Sequence, residues 1–96
     1  MNNKKLDVKL IRAELEKNNY GVGVIPPNVI AGQKLYKNYR LLTVWYCSSG
    51  RFEWRIDNPK TKKIILKQEP TSIENKDISF EIKRASASFK YHTINF

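Results

Sequence analysis

Ninety-six residues with 41% hydrophobic and 28% charged side chains, four Gly and four Pro describe one small globular domain (residues 1–96). The apolar content is too high for a disordered or low-complexity chain. A single Cys excludes an intramolecular disulfide framework, and no apolar run approaches the roughly 18–20 residues of a membrane span. The net charge of +9 is unevenly held: between residues 34 and 67 nine Lys/Arg stand against Glu53 and Asp57, an excess of +7 beside six of the eleven aromatic rings.

The basic start, Met1-Asn2-Asn3-Lys4-Lys5, is not followed by the apolar stretch of a signal peptide, so a soluble, cytoplasmic protein without membrane contact is expected. Residues 6–19 then carry a helical pattern. Leu6, Leu10 and Ala13 form one stripe and Val8, Ile11 and Leu15 an adjacent one, with Asp7 as the N-cap and Asn18-Asn19-Tyr20-Gly21 as the stop. Residues 21–25 read as a short strand ended by Pro26-Pro27. Residues 28–40 read as either a Pro-initiated helix or an extended loop, with Gly32 weighing against the helix.

From Arg40 onward the pattern is that of antiparallel strands. Residues 41–47 are apolar on both parities, as in a central strand that buries Cys47. Residues 51–57 alternate, with Phe52, Trp54 and Ile56 on one face and Arg51, Glu53, Arg55 and Asp57 on the other. A turn at Asn58-Pro59-Lys60-Thr61 leads into a return strand over 63–67. The expected register sets Asp57 against Lys63, Glu53 against Lys67 and Arg51 against Glu69, with Trp54 on Leu66 and Ile56 on Ile64. Residues 70–76 are a polar connection, Ile78, Phe80 and Ile82 mark a fourth strand, and 89–96 mark a fifth. The expected fold is α+β, one N-terminal helix packed on a four- to five-stranded, mainly antiparallel sheet.

In that register Lys34, Lys37, Arg40, Arg55, Lys60 and Lys62 have no acid beside them. They form two groups, the run Lys34-Leu35-Tyr36-Lys37-Asn38-Tyr39-Arg40 and the turn Lys60-Thr61-Lys62. Cations interleaved with tyrosines suit nucleic acid: Lys and Arg neutralise phosphates, and a ring stacks a base. Lys34, Lys37, Arg40, Lys60 and Lys62 are the candidate phosphate contacts, Arg55 a mixed contact, and Tyr36 and Tyr39 the stacking platforms. Single-stranded or structured RNA or DNA is favoured over duplex, because Glu53 and Asp57 share the face of Arg55 and repel a groove backbone.

The same composition suits an acidic protein partner, docked by an inhibitor or adaptor of the kind that short Lys- and Asn-rich phage or mobile-element proteins supply. A third reading is a small ribonuclease toxin built on His92, with Glu81, Lys83 and Arg84 brought beside it by strand pairing. No nucleophile, metal-ligand or phosphate-loop motif stands in the sequence, so no cofactor, metal or catalytic residue is assigned, and a non-enzymatic module is the leading expectation.

Overall fold

The computed structural model describes residues 5–93. The basic start therefore lies outside them up to residue 4, as do residues 94–96 of the expected fifth strand. Helix α1 (Val8–Lys17) is followed by strands β1 (Gly21–Ile25), β2 (Val29–Tyr36), β3 (Tyr39–Tyr46), β4 (Arg51–Asp57) and β5 (Ile64–Ser72). A 3-10 turn (Asn75–Asp77) then leads into helix α2 (Ile78–Thr93). The strands form a single antiparallel sheet in sequence order, β1-β2-β3-β4-β5. This is an α+β fold with an N-terminal helix on a five-stranded antiparallel sheet.

Helix α1 begins where the cap chemistry says it must. The Asp7 carboxylate accepts from the Lys9 and Leu10 amides at 2.9 and 3.3 Å, satisfying two donors of the first turn. Its buried stripe is Ile11 and Leu15, and Leu15 packs on β2 at Gly32. A Cβ at Gly32 would lie 2.7 Å from Leu15 Cδ2 and 3.1 Å from Thr43 Oγ1, so glycine sets how closely helix and sheet approach. Under the helices lie Ile30, Leu41, Trp45, Phe52, Trp54 and Ile56, with Trp45 stacked on Phe52 at a 4.2 Å centroid separation. One polar chain in this layer is closed: Trp45 Nε1 donates to Thr43 Oγ1, which donates to the Gly32 carbonyl, each at 3.0 Å. The buried Trp54 Nε1 has no hydrogen-bond partner among the described residues.

Three expectations are corrected. Residues 28–40 are neither helix nor loop: 29–36 form strand β2, joined to β3 by a two-residue turn at Lys37 and Asn38. Residues 78–93 are helix α2 and not a fourth and fifth strand. Ile78, Ile82, Ala85, Phe89 and Thr93 are its buried stripe, and Phe80, expected to face inward on a strand, is 64% exposed. The β4–β5 register also differs. Ile56 faces Leu66, Trp54 faces Gln68, Arg55 faces Lys67 and Arg51 faces Ser72, with irregularities on either side of Trp54–Ile56. The longer connection over residues 58–63 causes the slip. Asn58 Oδ1 accepts from the Lys60 and Thr61 amides, and Lys62 N–H closes on the Asn58 carbonyl at 2.8 Å.

Candidate nucleic-acid interface

Strand order and alternation fix where each candidate residue points. The inner, helix-covered face of β2 and β3 runs through Ile30, Gly32, Lys34 and Tyr36, and through Tyr39, Leu41, Thr43 and Trp45. Lys34, Tyr36 and Tyr39 therefore lie on the helix side, and both tyrosine rings pack half-buried against the core. They are not open stacking platforms on the free sheet face. Arg40 and Arg55 lie on the opposite face, which no helix covers among the described residues.

Both arginines are already engaged. Arg40 grips Asp57 with two bonds, Nε to Oδ1 at 3.0 Å and Nη2 to Oδ2 at 2.8 Å, and Arg55 Nε donates to the same Oδ2 at 3.1 Å. The Asp57 side chain is 4% exposed, against 22% for Arg40 and 41% for Arg55. The Arg40 hydrogen bonds hold the Asp57 carboxyl below the ordinary carboxylate range, against the opposing effect of burial. Asp57 thus pairs with Arg40 and Arg55 and not with Lys63, and these arginines do not lack an acid as the sequence suggested. Lys67 bonds Glu69 at 3.2 Å on its own strand, and Arg51 Nη2 donates to the Pro70 carbonyl instead of facing Glu69.

Lysines at the hairpin tips are different. In an antiparallel meander the β2–β3 and β4–β5 turns fall at the same end of the sheet, so Lys37 and the Lys60/Lys62 pair are brought to one end. The Arg40–Asp57 clamp joins β3 to β4 between the two tips. Lys37, Lys60, Lys62 and Lys63 are exposed, and none is in an ion pair among the described residues. Lys37 and Lys62 also hold left-handed backbone, at φ 54 and 66, a conformation that glycine adopts without the Cβ penalty a lysine carries. The Lys37 ammonium stands 5.4 Å from the Tyr36 ring centroid.

His92 is remote from the partners a ribonuclease site would use. Its Nδ1 lies 2.9 Å from the Ser88 carbonyl one helical turn back and donates to it, since a carbonyl can only accept. Glu81 pairs with Arg84 at 3.5 Å. His92 lies eleven positions after Glu81 on the same helix, about 16 Å along its axis. The strand pairing that would have assembled them does not exist. Cys47 is buried, as expected, and burial followed by the nearby Asp7 charge pushes its thiol up, away from the reactive thiolate. No described helix is long and apolar enough to cross a membrane.

Sequence reasoning missed Ser86 and Lys90, which line the same cleft as Lys34, and Tyr20, whose ring lies under the Lys34 ammonium. Their signal is the spacing of Ser86 and Lys90, four apart on one helix face, legible only once residues 78–93 are read as a helix. Compared with known protein families, curated proteins and solved structures, the chain matches none.

Proposed function

We propose that this chain is a small non-enzymatic module that binds nucleic acid through the basic end of its sheet, single strands or structured RNA ahead of duplex. The observation that carries the reading is the convergence of two lysine-bearing turns, at Lys37 and at Lys60 and Lys62, on one end of the meander. Lysines at exposed tips reach phosphates without desolvating a rigid surface, and two of the three hold a backbone conformation that favours glycine. Charge, not turn geometry, is what lysine contributes there. Arg40 and Arg55 have a supporting role, since their guanidiniums are committed to Asp57. Tyr36 and Tyr39 stand at the base of the Lys37 turn, half-buried against the core, and Lys34 lies behind them on the same face.

Sequence-independent binding is expected, because the lysines that carry the reading meet phosphates and not base edges. Fluorescence anisotropy with labelled 20-nucleotide single-stranded DNA, single-stranded RNA and duplex DNA in low salt tests the proposal. Single strands should bind with a Kd of about 10 μM or better, and salt should weaken binding steeply. If nothing binds more tightly than about 100 μM in low salt, the reading is wrong. A stoichiometric acidic protein captured after nuclease treatment would then put the adaptor reading in its place.

A further inference from the structure

Between β2 and the second half of α2 lies a cleft of about 660 Å³, within the size range of small-molecule sites. One wall carries Lys34 and Tyr36, the other Ser86, Phe89 and Lys90, and Gln33 stands at the rim. No Asp or Glu is among the described residues that line it. Lys34 is the anomaly of its face. It occupies an inward-pointing position opposite the fully buried Leu41 and in register with Ile30 and Gly32, where an apolar residue belongs. Its ammonium is in no ion pair among the described residues and stands 4.9 Å from the Tyr20 ring centroid. Burial lowers its pKa, the signature of a cation that has lost water without gaining a counter-charge.

We propose that this cleft is a binding site for a small organic anion, its phosphate or carboxylate head held between Lys34 and Lys90 and its flat apolar body laid against Phe89 and Tyr36. An anionic head supplies the counter-charge that Lys34 lacks among the described residues, and the apolar walls favour a ring over a bare ion. The Ser86 hydroxyl, already bonded to Tyr20 at 2.6 Å and to the Ile82 carbonyl at 2.9 Å, fixes the far wall. The cleft holds none of the tip lysines Lys37, Lys60 and Lys62, although Lys34 and Tyr36 also stand behind the Lys37 turn. Loss of nucleic-acid binding leaves it standing, and its own failure leaves the tips untouched.

Amide chemical shifts of the isotope-labelled protein, titrated with adenosine 5′-monophosphate and separately with indole-3-acetate, test it. At least one should saturate with a Kd below about 1 mM. The shifts should centre on Gly21, residues 33–36 and residues 86–90. Saturation by the nucleotide alone assigns a phosphate head, by the acetate alone a carboxylate head, and by both the shared chemistry. Neutral adenosine should bind about ten-fold more weakly, as should inorganic phosphate. Lys34→Met keeps the apolar stem and the fold, and should weaken the bound anion about ten-fold; Lys90→Gln should do the same. The double variant Lys60→Gln/Lys62→Gln should leave the Kd unchanged. Saturation by neither ring-bearing anion below about 1 mM overturns the proposal, as does undiminished affinity in Lys34→Met.

Discussion

The two ends of the sheet are built on opposite plans. At one end the turns over residues 26–28 and 47–50 carry no charge and are tied into the molecule. Cys47 N–H donates to the Asn28 carbonyl, Asn28 Nδ2 to Ser48 Oγ, Leu6 N–H to the Cys47 carbonyl and Ile73 N–H to the Gly50 carbonyl. Both helices start here, joined by the Asp7 amide on Asn75 Oδ1. At the other end the turns bear exposed lysines in no ion pair among the described residues, and the Arg40–Asp57–Arg55 cluster ties neighbouring strands. The helices finish toward this end, and Lys17 and Lys90 in their last turns answer the carbonyl ends. The neutral end ties its turns to the starts of both helices. The other spends one carboxylate on two arginines and leaves its lysines to solvent.

The largest expected effect breaks the clamp. Asp57→Asn leaves two guanidiniums without a carboxylate and should cost about 2–3 kcal/mol in denaturant unfolding, discounted from a fully buried pair because both arginines are partly exposed. The same variant should bind single-stranded DNA more tightly at the basic end. The pH dependence has a definite sign. The Asp57 carboxyl is held below its unfolded value of about 3.9, so its contribution is present above that value and lost as pH falls through the folded one. The stability gap between wild type and Asp57→Asn should therefore be full at pH 7 and close progressively below about pH 4. A gap that persists unchanged at pH 2 would contradict the assignment.

Smaller effects separate the ends. Asn28→Ala removes the bond to Ser48 Oγ at the neutral end, should cost about 0.5–1 kcal/mol, and should not change nucleic-acid affinity. Lys37→Gly should do the reverse. Relief of the left-handed backbone should raise stability by up to about 1 kcal/mol, while the lost charge weakens binding about two- to four-fold. Loss of stability in Lys37→Gly would mean that the lysine side chain supports the turn.

The readable and unreadable parts of the sequence differ for physical reasons. The first helix was legible because its stripe and its cap are both local, and Asp7 bonds the first turn as the sequence demands. Strand β4 was legible because Phe52, Trp54 and Ile56 alternate with charge. Strand β2 hid because two of its inward positions hold Gly32, where Leu15 fills the space, and Lys34, which faces the cleft. Helix α2 hid behind a coincidence: Ile78, Phe80 and Ile82 alternate like a strand, yet Ile78 and Ile82 are also four apart, and Ala85 and Phe89 continue that helical stripe. The candidate site was half legible. Composition located the basic segment, but only topology sorts it into three locations: the helix side with Lys34, Tyr36 and Tyr39, the open face with Arg40 and Arg55, and the tips with Lys37, Lys60 and Lys62. The Arg–Asp cluster escaped because it depends on the β3–β4 register, which sets Arg40 opposite Asp57 across a hairpin whose partner residues lie 17 apart.

The most direct test of the basic end is the salt dependence of single-stranded DNA binding by wild type and by Lys37→Gln/Lys60→Gln/Lys62→Gln. Three lost phosphate contacts should reduce the slope of log K against log salt by about 2, with Asn28→Ala as the unchanged control. An identical slope in the triple variant would contradict the claim that the two hairpin tips are the phosphate-binding end of this molecule.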